Sequence, residues 1–294
     1  MRALLPLLFT ALLACALTAA GEVRAQAELL AESASDFRRP HDLVLSPDGR
    51  FLYVADVGNH VVRVLDSETL ETRGRIGADE LYSPNDVALD GDGRLLVADT
   101  GNYRIAVFEV DGTWGRLVAS WTGQAFRPEG VAGLTDGRVA ATDTSGDAVL
   151  IMREGRIVSR HERPNGADRG FARPHDVAVA PDGRLVVVDS SNHRILLFGP
   201  DMALEQVMEG PGFDFREPKY VAFWPDGSMA VADEYNDAVK IFDPDRRLTA
   251  TIGGEHGVPL ALNQPEGVEV RGERLWIADT YNGRIVLLRL PRTR

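Results

Sequence analysis

The chain has 294 residues, with 32 Lys and Arg against 44 Asp and Glu and a formal net charge of -12. A surface this acidic repels phosphate backbones, which argues against nucleic acid as a partner. Cys15 is the only cysteine, so the body of the chain has no disulfides and must be held by its core alone.

The N-terminus reads as an address. Met1-Arg2 precedes an uncharged stretch from Ala3 to Ala20, and Val23-Arg24-Ala25 before Gln26 has the small-x-small form of a secretory cleavage site. Residues 1–25 are therefore expected to be a signal peptide. Its removal takes away Arg2, Arg24 and Glu22 and leaves a charge of -13 on a single domain, residues 26–294. Leu12-Leu13-Ala14-Cys15 offers the alternative of a lipoprotein box, and Pro6 inside a short apolar run counts against an uncleaved anchor.

Six prolines then recur at spacings of 44, 44, 46, 44 and 47 residues: Pro40, Pro84, Pro128, Pro174, Pro218 and Pro265. Each opens an apolar run and is followed, 14 to 16 residues on, by an aspartate: Asp56, Asp99, Asp143, Asp189, Asp233 and Asp279. A unit of this length cannot bury its own apolar faces, so the copies must pack against one another. The second unit resolves into strands at Asp86–Leu89, Arg94–Ala98, Arg104–Phe108 and Arg116–Trp121. Asp-Gly pairs at Asp48, Asp92, Asp136, Asp182 and Asp226 mark a tight hairpin between the first two strands of five units. No helical period is sustained. Four short antiparallel strands repeated six times predict an all-β fold, a six-bladed β-propeller. Only three strands follow Pro265, so Ala27–Glu32 is expected to supply the missing outer strand of the last blade and close the ring.

The runs Asp99-Thr100-Gly101-Asn102-Tyr103-Arg104-Ile105, Asp189-Ser190-Ser191-Asn192-His193-Arg194-Ile195 and Asp279-Thr280-Tyr281-Asn282-Gly283-Arg284-Ile285 resemble the core of the NHL repeat, whose members are propellers. Blade three departs from it, with Gly146 for the asparagine and Ala148 for the arginine, and blades one and five lack the arginine, with Val61 and Ala238.

Alternation of antiparallel strands puts the residue after each proline and the aspartate loops on one face of the disc, and the Asp-Gly hairpins on the other. Inner strands line the channel of a propeller. His41, Asn85, Glu129, His175, Lys219 and Glu266 should therefore ring the channel mouth, with His41 opposite His175 and Glu129 opposite Glu266. Two imidazoles and two carboxylates suit a divalent metal, zinc or calcium. Lys219 opposes it, unless it pairs with Glu266 or holds an anionic ligand. The other reading of the ring is a hydrated polar mouth.

Pro40-His41-Asp42 and Pro174-His175-Asp176 also resemble the Pro-His steps that supply zinc ligands in peptidyl-hydroxyglycine amidating lyases. That resemblance implies three such histidines on alternate blades, and a tyrosine two residues after a blade aspartate. Tyr235 and Tyr281 match the tyrosine, but the chain has only two of the histidines, on opposite blades.

Other features read as structural. His60 and His193 should pack within their loops, and Asp90-Gly91-Asp92-Gly93 is a hairpin without the remaining oxygens of a calcium loop. His161-Glu162 lacks the second histidine of a metalloprotease helix, and there is no nucleophile elbow or phosphate loop. The expectation is an exported, periplasmic or secreted monomer, with no membrane association beyond export. It would bind a small molecule or a partner protein at the mouth through Asn85, Glu129, Lys219, Glu266, Tyr235 and Tyr281. The alternative is a metal-dependent lyase or hydrolase with His41 and His175 as metal ligands, Glu129 or Glu266 as ligand or base, and Tyr235 or Tyr281 as acid or base.

Overall fold

The computed structural model describes residues 27–122, 126–199, 202–255 and 257–291. The expected signal peptide and Cys15 lie outside them. Six four-stranded antiparallel sheets are arranged as the blades of a propeller. Blade one consists of β2 (Pro40–Leu45), β3 (Phe51–Asp56), β4 (Val61–Asp66) and β5 (Thr72–Ile76), in spatial order. The inner strands of the next five blades are β6 (Pro84–Leu89), β10 (Pro128–Gly133), β14 (Pro174–Val179), β18 (Pro218–Phe223) and β22 (Val268–Arg271). The Asp-Gly hairpins form as expected, each with its glycine at positive φ, from 74° at Gly49 to 89° at Gly227. Only a residue without a β-carbon adopts that conformation at no steric cost.

Every sheet is too narrow to bury its own faces, and the core is accordingly partitioned between neighbours. One apolar cluster joins Tyr53, Val62 and Ile76 of blade one to Val87, Leu95 and Phe108 of blade two. Another joins Phe37, Leu43 and Leu52 to Trp276, Ile285 and Leu287 of blade six, across the ring closure. Each junction of adjacent blades has such a cluster, so the fold has no single centre of burial.

Beside the apolar clusters runs a repeated polar device. The aspartate that ends the second strand is fully buried in five blades and 1 % exposed in the third. One of its oxygens accepts the backbone N–H of the loop arriving from the preceding blade: Arg38 to Asp56, Tyr82 to Asp99, Arg127 to Asp143, Ala172 to Asp189, Arg216 to Asp233 and Asn263 to Asp279, at 2.7 to 3.1 Å. The other oxygen takes a cation: Arg104, Arg194 and Arg284 at 2.6 to 2.7 Å, as the repeat pattern suggests. Where the pattern lacks that arginine, another residue delivers the charge. Arg63 and Lys240, two positions further along the third strand on the same face, reach Asp56 and Asp233 at 2.8 and 2.7 Å. In blade three Arg160, on the outer strand, reaches Asp143 at 2.8 Å. The sequence departures therefore relocate the cation without losing the pair.

Two further latches cross between blades. The hydroxyl after the aspartate donates to the carbonyl of the next blade's proline: Thr100 to Pro128, Thr144 to Pro174, Ser190 to Pro218 and Thr280 to Pro40. Val57 and Glu234 occupy the position in blades one and five and have no hydroxyl to give. In blades one, three, four and five the residue that ends the aspartate loop accepts the N–H of the residue before the next proline: His60 Nδ1 from Ser83, Asp147 from Arg173, His193 Nδ1 from Glu217 and Asp237 from Gln264, at 2.7 to 3.1 Å. His60 and His193 are thus structural acceptors.

The ring closes through β1 (Glu28–Glu32), which pairs antiparallel with β24 (Arg284–Arg289) as the outer strand of blade six, in the register Glu28 to Arg289 and Glu32 to Val286. Ser33 extends the closure, its N–H donating to the Ile285 carbonyl at 2.9 Å and its Oγ accepting the Ile285 N–H at 2.8 Å. Deleting residues 27–33 exposes the edge of β24 and removes this staple. The unfolding midpoint is expected to fall by about 5 °C or more, since about 2 kcal/mol shifts a chain of this size by that much. A calorimetric scan showing no fall would refute the role of β1.

Candidate functional site

The prolines start the inner strands, and the residues after them converge on the propeller axis instead of facing open solvent. His41, Asn85, Glu129, His175, Lys219 and Glu266 are all buried, the most exposed of them at 8 %. His41 Nδ1 lies 3.4 Å from Glu266 Oε2, and the His175 Nε2 atom lies 3.9 Å from that oxygen and 3.6 Å from Glu129 Oε2. The two imidazole centroids are 6.4 Å apart across the axis. One ligand atom from each of His41, His175 and Glu266 falls within 4.8 Å of the others, the one such group among the described residues. Bonds of about 2.0–2.2 Å to one ion span at most about 4.4 Å between ligands, so a small side-chain adjustment would bring the three into ligation.

The electrostatics fit the same group. Both nitrogens of His41 and the Nδ1 of His175 are buried without a hydrogen bond of good geometry among the described residues. Burial, then the cations Arg39 and Lys219, lower the His41 pKa to about 3, with Asn85 opposing the shift. His175 is likewise held well below its ordinary value, by burial first and then by Lys219. Both rings are therefore neutral and free to donate a lone pair. Burial raises the Glu266 carboxyl to about 8, against the attraction of Lys219. Orphaned neutral imidazoles facing a desolvated carboxyl are a donor set that a divalent cation would satisfy.

Lys219 does not pair with Glu266. Its ammonium lies 3.2 Å from Glu234 and 3.5 Å from Glu217, both of blade five. Glu129, besides its contact with His175, is 3.8 Å from Arg127, and Asn85 donates to Thr100 Oγ1 at 2.6 Å. Tyr235 and Tyr281 do not join the cluster: they are 46 % and 48 % exposed on the surrounding loops. The Glu234 charge raises the Tyr235 phenol above its ordinary value and so keeps it protonated. Tyr281 instead lies under the Arg39 guanidinium, 5.6 Å from ring centroid to cation.

Beneath the ring lies a layer that the sequence reading left out, formed by the next residue of each inner strand and its neighbours. Tyr220 packs edge-on to His175 at 4.9 Å and donates its hydroxyl across the axis to the carbonyls of Asn85 at 3.0 Å and Glu129 at 3.3 Å. It separates the histidine cluster from a cavity of about 330 Å³ lined by Asp42, Asp86, Asp176 and Glu269. Asp86 accepts the Val131 N–H and Asp176 the Val221 N–H at 3.0 Å, each tying its inner strand to the next. Burial drives these carboxyls upward: Asp42 and Asp176 well above the usual range, and Asp86 to about 6. The signal for this layer was present as Asp after the residue that follows Pro40, Pro84 and Pro174.

With this geometry the class is defined: the chain is a six-bladed β-propeller with a polar cluster on its axis. It carries NHL repeats, the family model matching residues 37–65, 81–108 and 171–198, which are blades one, two and four. Among solved structures it is similar to virginiamycin B lyase from Staphylococcus aureus, at 12 % identity, TM-score 0.65, and coverage of 91 % of this chain and 99 % of that one. A catalytically inactive histidine-to-alanine variant of the same lyase with quinupristin matches at 14 % identity and TM-score 0.62, covering 87 % and 82 %. Kuenenia stuttgartiensis hydrazine synthase matches at 14 % identity and TM-score 0.64, covering 86 % and 96 %. At these identities the likeness is one of fold.

Glu269 gives the site region a testable pH dependence. Burial raises its carboxyl to about 7, although it accepts the Val270 and Leu45 N–H groups. The folded state then holds a proton that the unfolded chain, with an ordinary glutamate near 4.5, releases first. This contribution is full below about 4.5 and is lost as pH rises through about 7. The variant Glu269→Gln should lose less stability than the parent between pH 5 and pH 8. Parallel urea midpoints for the two proteins over that range would contradict it.

Proposed function

We propose that the mouth face binds a small ligand at a divalent cation of zinc type, as in a metal-assisted lyase or hydrolase. The observation that carries this reading is the convergence of His41, His175 and Glu266, three buried ligand atoms within 4.8 Å of one another. Two neutral imidazoles favour zinc over calcium, which takes oxygen ligands. When bound, the ion would polarise an oxygen of the ligand as a Lewis acid.

The residues around it have separable tasks. His41 and His175 approach from opposite blades and Glu266 from the blade beside His41, so Asn85 and Glu129 are the ring residues on the side away from Glu266. Glu129, 3.6 Å from His175, is the carboxylate placed to hold or accept a proton on that side. Tyr220 spans the axis below the cluster, so a ligand would approach from the side of the mouth. Tyr235 and Tyr281, half-exposed, suit contact with the outer part of a ligand and not the reacting atoms. The lyase among the structural neighbours adds support of fold-level analogy only.

Metal analysis of the purified protein tests the reading. The parent chain should retain about one equivalent of zinc or cobalt, and the double variant His41→Ala/His175→Ala should retain none while unfolding near the parent midpoint. Uptake should strengthen as pH rises from 6 to 8, because Glu266, with a pKa of about 8, must lose its proton to ligate. A parent chain that takes up neither metal at pH 8 refutes the reading.

The proposal includes export, based on the charge-free run after Arg2. Mass spectrometry of protein recovered from the periplasm or medium should find a chain that begins near Gln26. A lipid-modified Cys15 at the mature terminus would instead assign it to a membrane surface.

A further inference from the structure

A lysine beside three candidate ligands should compete with any metal for Glu266, and the structure indicates how that competition is avoided. Lys219 belongs to blade five, between the blades that supply His175 and Glu266. Its ammonium is nevertheless directed to Glu234 at 3.2 Å and Glu217 at 3.5 Å, and Glu266 is left to the histidines.

Glu234 is out of place by the logic of the repeat. Its position, directly after the blade aspartate, holds Thr or Ser in blades two, three, four and six, where the hydroxyl latches the next blade's proline carbonyl. In blade five that latch is given up for a carboxylate that is 4 % exposed and whose Oε2 makes no hydrogen bond of good geometry. A local rule broken at a structural cost is where function is expected. The carboxylate raises no difficulty only because Lys219 faces it.

We infer that Glu234 is a positioning residue that holds the Lys219 ammonium away from Glu266 and so keeps that carboxylate available to the metal. This rests on the metal reading above and adds to it a device supplied by the neighbouring blade. Without Glu234 the ammonium keeps only the partly exposed Glu217 at 3.5 Å, and the buried Glu266, which already acts on its charge, is left to attract it; an ammonium on a ligand carboxylate opposes ligation. Outer residues that orient metal ligands typically contribute about ten- to a hundredfold in affinity.

The test is cobalt(II) binding, followed by visible absorption, to the parent chain, Glu234→Thr, Lys219→Met and the double variant Glu234→Thr/Lys219→Met. Threonine restores the repeat's own residue and its latch, which offsets part of the cost of breaking the buried Lys219–Glu234 pair, so Glu234→Thr should still fold and unfold cooperatively. Its cobalt affinity should nevertheless fall about ten- to a hundredfold. Removing the lysine as well should bring the affinity back to within about threefold of the parent, a rescue that a purely structural role for Glu234 would not produce. Equal cobalt affinity in the parent and Glu234→Thr overturns the inference and leaves the metal reading intact. A double variant as weak as Glu234→Thr overturns it also. No uptake by the parent overturns both.

Discussion

The structure depends on one buried interaction made six times: an aspartate carboxylate that takes a backbone N–H with one oxygen and a side-chain cation with the other. A carboxylate removed from water without partners would cost several kcal/mol. Here it is satisfied by the loop arriving from the previous blade and by a long cation from the outer half of the same blade, and in five blades that cation also donates to a carbonyl of the arriving loop. It fixes where each inner strand begins, and so fixes the residues after the prolines at the axis. The cation's origin is free to vary, as Arg63, Lys240 and Arg160 demonstrate, because the requirement is for charge at a point in space.

The axial cluster follows from that frame. Six inner strands bring six side chains to a centre that no sheet could provide alone, and burial there turns ordinary polar residues into unusual ones. His41 and His175 are stripped of their protons, while Glu266 is pushed toward keeping one. Such pairs of opposed shifts characterise sites that handle a ligand or an ion, although burial alone contributes the largest share. Blade five gives up a stabilising latch at Glu234, at the one place where the cluster contains a cation.

Much of the architecture was legible because it is written as a period. The prolines, the Asp-Gly hairpins and the missing last strand specify blade number, strand order and ring closure by spacing alone. Facing pairs such as His41 and His175 also followed, since opposition in a ring is a matter of counting. What spacing could not convey was depth and direction of side chains. Lys219 reads as a neighbour of Glu266 but turns to Glu234, a residue whose significance lies only in its departure from Thr and Ser. Tyr220 and the carboxyls at Asp42, Asp86 and Asp176 sit one residue further along the strand, and their role emerges only once the channel is seen to be divided. Where blades one, three and five lack the repeat arginine, the third dimension supplies substitutes that the repeat pattern does not point to.

The closure by β1 bears on how the axial cluster comes into being. The blade that supplies Glu266 is assembled from distant parts of the chain, its outer strand β1 preceding blade one and its other three strands following blade five. His41 stands on the N-terminal side of that junction and Glu266 on the C-terminal side, with the backbone of Gly267 packed directly against the His41 carbonyl. The contact between them therefore cannot exist in a partly synthesised or partly opened ring, however well its other blades are formed. Among the junctions of the propeller, the one that joins segments most distant in sequence runs through the middle of the cluster. An ion bridging His41 and Glu266 would act there as a clasp, and its presence would be a record that the circle is complete.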